Sequence, residues 1–99
     1  MYSLQKFRTY ELSVQFYRDC KAAKVPYFLR DQLLRAASSV SLNLSEGSAK
    51  PTRKDRLKFY FIAFGSLREC QAIIKLESLD ALAPAADQLA AMLYRLTQH

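Results

Sequence analysis

Several residue types that build common functional sites are scarce in this sequence of 99 residues. The only histidine is the last residue, His99, where chains commonly fray, and this argues against Ser-His-Asp, Cys-His and His-based metal sites. The chain has two glycines and none of the glycine-rich patterns that bind nucleotide phosphates. The Glu-x-x-His pairs of di-iron helical bundles do not occur either. We therefore expect a protein that is not an enzyme and needs no cofactor or metal.

Two glycines and three prolines are also too few for a turn-rich β protein, whereas Ala, Leu, Arg and Lys are plentiful. This composition predicts an all-α protein, and the length of 99 residues predicts a single domain over residues 1–99. A domain of this size buries a modest fraction of its surface, so association with further copies would stabilise it.

The compartment is predicted from the cysteines and the apolar runs. Cys20 and Cys70 form no CxxC pair, and each falls on an apolar stripe, which is typical of buried, reduced thiols. The first residues lack the apolar core of a signal peptide, and no apolar run is long enough to span a bilayer. We expect a cytoplasmic protein with no membrane partner.

Apolar periodicity predicts four helices, over residues 5–23, 28–46, 53–77 and 84–97. The links between them are short, which favours antiparallel neighbours and an up-down-up-down four-helix bundle. The fourth helix has a single apolar face, with Leu89, Leu93 and Leu96 among its members, and Pro84 fits its first turn.

The first and third helices are apolar on two faces, which a single small bundle covers poorly. On the third helix, one of these faces includes Phe59, Ile62 and Ser66. Gly65 weakens the middle of this helix by about 1 kcal/mol relative to alanine, so we expect a neighbouring backbone or side chain to fill the space beside it. Homo-oligomerisation follows as a prediction.

The link between the second and third helices, called the elbow below, has clear local signals. Gly47 follows the last periodic apolar residue and is interpreted as the C-terminal signal of the second helix. Pro51 prevents the helix from continuing. Thr52 is predicted to cap the third helix, with Asp55 as a partner three residues later.

The formal charge of +6 suits a polyanion, and the cations concentrate around the elbow. Five of them fall within nine residues, opposed only by Asp55: Lys50, Arg53, Lys54, Arg56 and Lys58. A solvated helix start is the simpler interpretation. However, the helix macrodipole disfavours cations in a first turn, whereas a phosphate is favoured there. We therefore treat these five residues, with Arg35 on the second helix, as candidate nucleic-acid contacts.

The twelve aromatic residues suggest a second way of binding nucleic acid, by stacking on its bases. Phe59, Phe61 and Phe64 follow apolar stripes, so packing in a core or an interface is the stronger interpretation for them. For Tyr94 and Tyr27 the sequence favours neither base stacking nor packing as clearly. A helix-turn-helix arrangement is disfavoured because the third helix is too apolar to lie in a major groove.

Three segments together are similar to the bacterial four helix bundle protein family, whose members include proteins encoded in intervening sequences of 23S ribosomal RNA genes. They cover residues 32–40, 43–47 and 62–69, and they read QLLRAASSV, NLSEG and IAFGSLRE. The accessory variability determinant of diversity-generating retroelements looks like a relative of this family.

The resemblance implies an antiparallel bundle assembled as a homopentameric ring. For the retroelement relative it also implies a basic surface that binds RNA or DNA and a partner reverse transcriptase. Within the shared motif, we interpret Asn43 and Glu46, beside Gly47, as structural residues that close the helix end and hold the loop. The resulting expectation is a non-catalytic, homo-oligomeric accessory protein that binds nucleic acid. The alternative is a protein-interaction scaffold ring with no role in nucleic-acid binding.

Overall fold

All regular structure in residues 4–98, the part of the chain that this computed structural model describes, is helical. The helices are α1 (Leu4–Ala22), α2 (Tyr27–Ser48), α3 (Arg53–Leu76) and α4 (Ala83–Thr97), and a short 3-10 turn (Asp80–Leu82) leads into α4. Each helix packs against the next in sequence, and α4 closes the bundle by packing against α1. The predicted up-down-up-down four-helix bundle is confirmed.

The predicted helix starts after the elbow and before α4 are also confirmed. The Thr52 hydroxyl accepts a hydrogen bond of 3.2 Å from the backbone N–H of Asp55, which satisfies one of the free donors at the start of α3. Pro84 lies in the first turn of α4, where its missing N–H costs nothing. The last link differs from a plain loop because Asp80–Leu82 forms its own 3-10 turn.

The core runs along the centre of the bundle. Its largest fully buried side chains include Phe16, Leu33, Leu44, Leu67 and Leu89, which together come from all four helices. Between Leu4 and Thr97, no helix is both long enough and apolar enough to cross a membrane.

The buried face of α1 combines apolar side chains with small polar residues. Thr9 and Ser13 are fully buried together with Phe16 and Cys20. Thr9 donates to a backbone carbonyl one turn earlier, and the Ser13 hydroxyl lies 2.9 Å from the Ser41 hydroxyl of α2. Because their hydrogen bonds are satisfied, these hydroxyls are buried without a large penalty, and they allow α1 and α2 to approach closely.

The second helix ends near Gly47, as predicted, but Gly47 is not its C-terminal cap. The helix continues to Ser48, and neither glycine of the described chain has a positive φ. Gly47 is needed instead for packing against α3, since a Cβ atom there would lie 2.9 Å from Cε1 of Tyr60 and 3.0 Å from Cβ of Phe59. The residue marks a close approach of the two helices.

One further expectation about the shared motifs is corrected. Asn43 does not close the helix end; its side-chain amide donates to the backbone oxygen of Ser39 at 2.9 Å, inside α2. The space beside Gly65 is not filled by any neighbour among residues 4–98, since a Cβ there would meet nothing within 4 Å. Gly65 therefore lies open on the outer side of α3.

Candidate nucleic-acid interface

The elbow is built from backbone hydrogen bonds and one arginine. After Ser48, the N–H groups of Ala49 and Lys50 donate to carbonyls of the last turn of α2, at 3.2 and 3.1 Å. The half-buried Arg56 then reaches back from α3, and its Nη1 donates to the carbonyl oxygens of Lys50 (3.2 Å) and Pro51 (3.1 Å). The guanidinium thus donates to two carbonyl oxygens that the loop backbone leaves without a hydrogen bond. Arg56 therefore stabilises the conformation of the elbow.

Two more of the predicted cations also have partners within the chain. Lys50 forms an ion pair with Glu46 at 3.1 Å, and its Nζ lies 5.3 Å from the centre of the Phe59 ring. Arg53 donates from Nη2 to the backbone oxygen of Gln98 at 2.5 Å and so ties the start of α3 to the end of α4. Glu46 therefore takes part in holding the loop, as predicted.

Lys54 and Lys58 are the two elbow cations that remain available. Both are exposed, and they lie one turn apart on the outer side of α3. Neither side chain makes a hydrogen bond or an ion pair with the rest of residues 4–98. They can therefore contact an anion without first breaking an internal interaction.

Arg35 lies away from the elbow. Twelve residues of α2 separate it from Gly47, which corresponds to about 18 Å along a helix that rises 1.5 Å per residue. Arg35 is exposed on the outer side of α2. The structure does not bring it together with the other five candidates.

The antiparallel topology gathers additional cations at the elbow end of the bundle. The Ser13–Ser41 and Ser39–Ser66 hydroxyl pairs mark the middle of the bundle. We call the part on the elbow side of these pairs the basic half, comprising residues 4–12, 42–65 and 93–98. It carries eight cations against three carboxylates, whereas the opposite half carries seven cations against six carboxylates.

The cations of the basic half are Lys6, Arg8, Lys50, Arg53, Lys54, Arg56, Lys58 and Arg95. Sequence reasoning missed Lys6, Arg8 and Arg95 as members, because they belong to α1 and α4 and are distant from the elbow along the chain. Only the pairing of helix ends reveals them. A shallow depression of about 340 Å³ between α1 and α4 is lined by Arg8 and Arg95, among other residues.

The residues predicted to be structural or to lie at an oligomer contact divide into two groups. Phe59 is partly buried beneath Lys50, and the Ser66 hydroxyl lies 2.8 Å from the Ser39 hydroxyl at the contact between α2 and α3. Ile62, one turn before Ser66, is 47% exposed, and Leu42 on α2 is 68% exposed. These two apolar side chains flank the α2–α3 contact on its outer side.

The two cysteine thiols, Cys20 and Cys70, are poor nucleophiles at neutral pH. Burial raises the pKa of both Cys20 and Cys70 to about 12, with smaller contributions from Asp19 at Cys20 and from Cys20 and Glu69 at Cys70. A thiol must lose its proton to act as a nucleophile, so both stay protonated at neutral pH. Within residues 4–98, no three His, Cys, Asp or Glu side chains are grouped so that they could hold a metal ion.

Comparison with known proteins gives one match. The model of the 23S rRNA-intervening sequence protein family matches residues 3–98 of the chain. Neither a search of curated proteins nor a search of solved structures gave a match.

Proposed function

The chain belongs to the 23S rRNA-intervening sequence protein family, and we propose that it is a non-catalytic, homo-oligomeric accessory protein that binds RNA or DNA through its basic half. The supporting observation is the uneven charge: eight cations against three carboxylates at the elbow end, and near balance at the other. A surface of this kind attracts the phosphates of a nucleic acid whatever its sequence.

Within the basic half, Lys54 and Lys58 are proposed as the principal phosphate contacts. Both are exposed and have no partner within residues 4–98, whereas Lys50, Arg53 and Arg56 already bond to other parts of the chain. A cation that must first give up an internal bond gains less from a phosphate.

Reversing these two charges tests the proposal. We expect Lys54→Glu with Lys58→Glu to weaken binding to a labelled single-stranded RNA, measured by fluorescence anisotropy over a salt titration. If both lysines contact phosphates, the slope of log affinity against log salt should fall by about 1.4, since each phosphate contact contributes about 0.7 on a single strand. The fold should survive, because glutamates near the start of α3 suit the helix macrodipole.

The matched control reverses two exposed lysines of the opposite half, Lys24→Glu with Lys75→Glu, for the same change in net charge. Binding should change little in this variant. Equal losses in the two variants would show that only net charge matters, and would contradict a site on α3. Failure of the unaltered protein to bind any nucleic acid at low salt would instead favour the alternative, a scaffold ring that contacts other proteins.

The family resemblance extends the proposal to a pentameric ring and to a reverse transcriptase as a partner. Support for five copies and for this partner comes from the similarity to ring-forming relatives and to the accessory variability determinant. The neighbouring genes provide a direct test: a reverse transcriptase gene beside this one supports the partnership, and an insertion within a ribosomal RNA gene supports a ribosomal RNA context.

A further inference from the structure

Exposed aromatic rings lie beside the available cations on the α4 side of α3. Phe61 is 57% exposed and Tyr94 of α4 is 55% exposed, although large aromatic side chains are usually well buried. Phe64 lies between them: it packs against the core, its ring centre is 6.3 Å from that of Tyr94, and it is three residues after Phe61 on α3. We call Phe61, Phe64 and Tyr94 the aromatic platform.

Cations continue along the same outer strip of α3 on both sides of the platform. Lys58 precedes Phe61 by three residues, Lys54 lies a further turn away, and Arg68 follows Phe61 by seven residues. All three are exposed. Lys54 and Arg68 are about 21 Å apart along the helix, at 1.5 Å per residue.

Two acidic residues near this strip are already bonded, and a third, the exposed Asp55, follows Lys54 in the chain. Glu69 accepts a hydrogen bond from Gln32 of α2 at 2.9 Å, so its carboxylate points towards α2. Asp87 accepts from Gln71 at 2.9 Å, and Gln71 in turn accepts from Arg68 at 3.0 Å. The strip from Lys54 to Arg68 on the α4 side is therefore cationic and aromatic.

We propose that this strip binds single-stranded nucleic acid, with bases stacked on Phe61 and Tyr94 and phosphates paired with Lys54 and Lys58. Proteins that hold single strands with little sequence preference combine these two elements, a basic track and exposed aromatic faces. A duplex keeps its bases stacked inside and presents no free base to these rings. The inference deepens the proposed function, and it rests on nucleic-acid binding by the basic half.

Charge argues against a second copy of the chain as the occupant of this strip. A symmetric contact through it would place Lys54, Lys58 and Arg68 near their own counterparts, and repulsion between like charges opposes such a contact.

The test compares three probes of equal length: an oligothymidylate, the same sugar-phosphate strand without bases, and a DNA duplex. We expect the protein to bind the oligothymidylate most tightly. Phe61→Leu with Tyr94→Leu should weaken that binding by at least about 30-fold, because two stacking rings are lost and each stacked base contributes about 5-fold or more. The same variant should leave unchanged both the binding of the base-free strand and the salt slope, because no phosphate contact is lost.

The matched control is Tyr27→Leu with Phe28→Leu, which removes two aromatic rings that are 94% and 73% exposed at the far end of the bundle. It should leave oligothymidylate binding unchanged. Equal affinity for all three probes, with no effect of the Phe61 and Tyr94 changes, would overturn base stacking while leaving phosphate binding intact. Absence of binding to every probe and to the single-stranded RNA would refute both proposals, and a change in oligomer mass in the Phe61 and Tyr94 variant would identify the strip as a contact between copies.

Discussion

At the scale of single residues, the two glycines of this chain have opposite environments within the same kind of element. Both lie in helices, at negative φ, where glycine costs about 0.5–1 kcal/mol relative to alanine. Gly47 is buried against Tyr60, whereas Gly65 faces open space. At Gly47, close packing of the helices compensates for the lower helix propensity of glycine. At Gly65, no contact within residues 4–98 compensates for it.

We expect Gly47→Ala to lower the free energy of unfolding by about 1–2 kcal/mol, since the penalty for forcing a methyl group against a packed ring exceeds the gain in helix propensity. Tyr60 is only 2% exposed, so its ring has little room to retreat. Gly65→Ala is the matched control and should raise the same free energy by about 0.5–1 kcal/mol. Urea titrations of both variants measure the difference; a stabilised Gly47 variant would contradict this account of the α2–α3 contact.

At the scale of the elements, much of the fold could be predicted from local signals. The helix periods, the Thr52 cap and Pro84 in the first turn of α4 depend on nearby residues, and the structure agrees with them. Gly47 could not be assigned correctly, because a glycine near a helix end resembles a C-terminal signal and its true partner, Tyr60, belongs to the next helix. The exposure of Phe61 could not be predicted either, because apolar periodicity does not show which of the two apolar stripes of α3 the neighbouring helices cover.

The elbow between α2 and α3 offers a test at this scale. Arg56→Met should destabilise the protein by about 1–2 kcal/mol, because two carbonyl groups lose a charged hydrogen-bond donor while the apolar part of the side chain is kept. Lys54→Met removes the same charge from an exposed position without a partner, and should change stability by less than about 0.5 kcal/mol. Similar effects of the two substitutions in thermal or urea unfolding would mean that Arg56 contributes only its charge.

At the scale of the whole molecule, the basic half arises from four helix ends that are distant in sequence. A scan along the chain finds the five cations of residues 50–58 but misses Lys6, Arg8 and Arg95, which only the up-down-up-down topology brings to the same end. The same topology leaves Leu42 and Ile62 exposed beside the α2–α3 contact. These two side chains are our candidates for a contact between copies.

Light scattering coupled to size exclusion should therefore find an assembly larger than the 11.4 kDa chain, and five copies of that mass give about 57 kDa. We expect Leu42→Ser with Ile62→Ser to shift the assembly towards the single chain, because less apolar surface would be buried between copies. Tyr27→Ser, at an exposed position of the far end, serves as the control and should not change the mass. A stable single chain at micromolar concentration in the unaltered protein would refute the proposed assembly.

The positions of the two thiols have a consequence for how the molecule responds to oxidation. Cys20 belongs to α1 and Cys70 to α3, which are diagonal in the bundle, and no Cα atom of one helix lies within 8 Å of a Cα atom of the other. A disulfide needs Cα atoms about 4.4–6.8 Å apart, so an internal crosslink would require the helices to move towards each other. Oxidants should therefore leave the folded bundle without an internal crosslink, and its shape should be the same under reducing and mildly oxidising conditions.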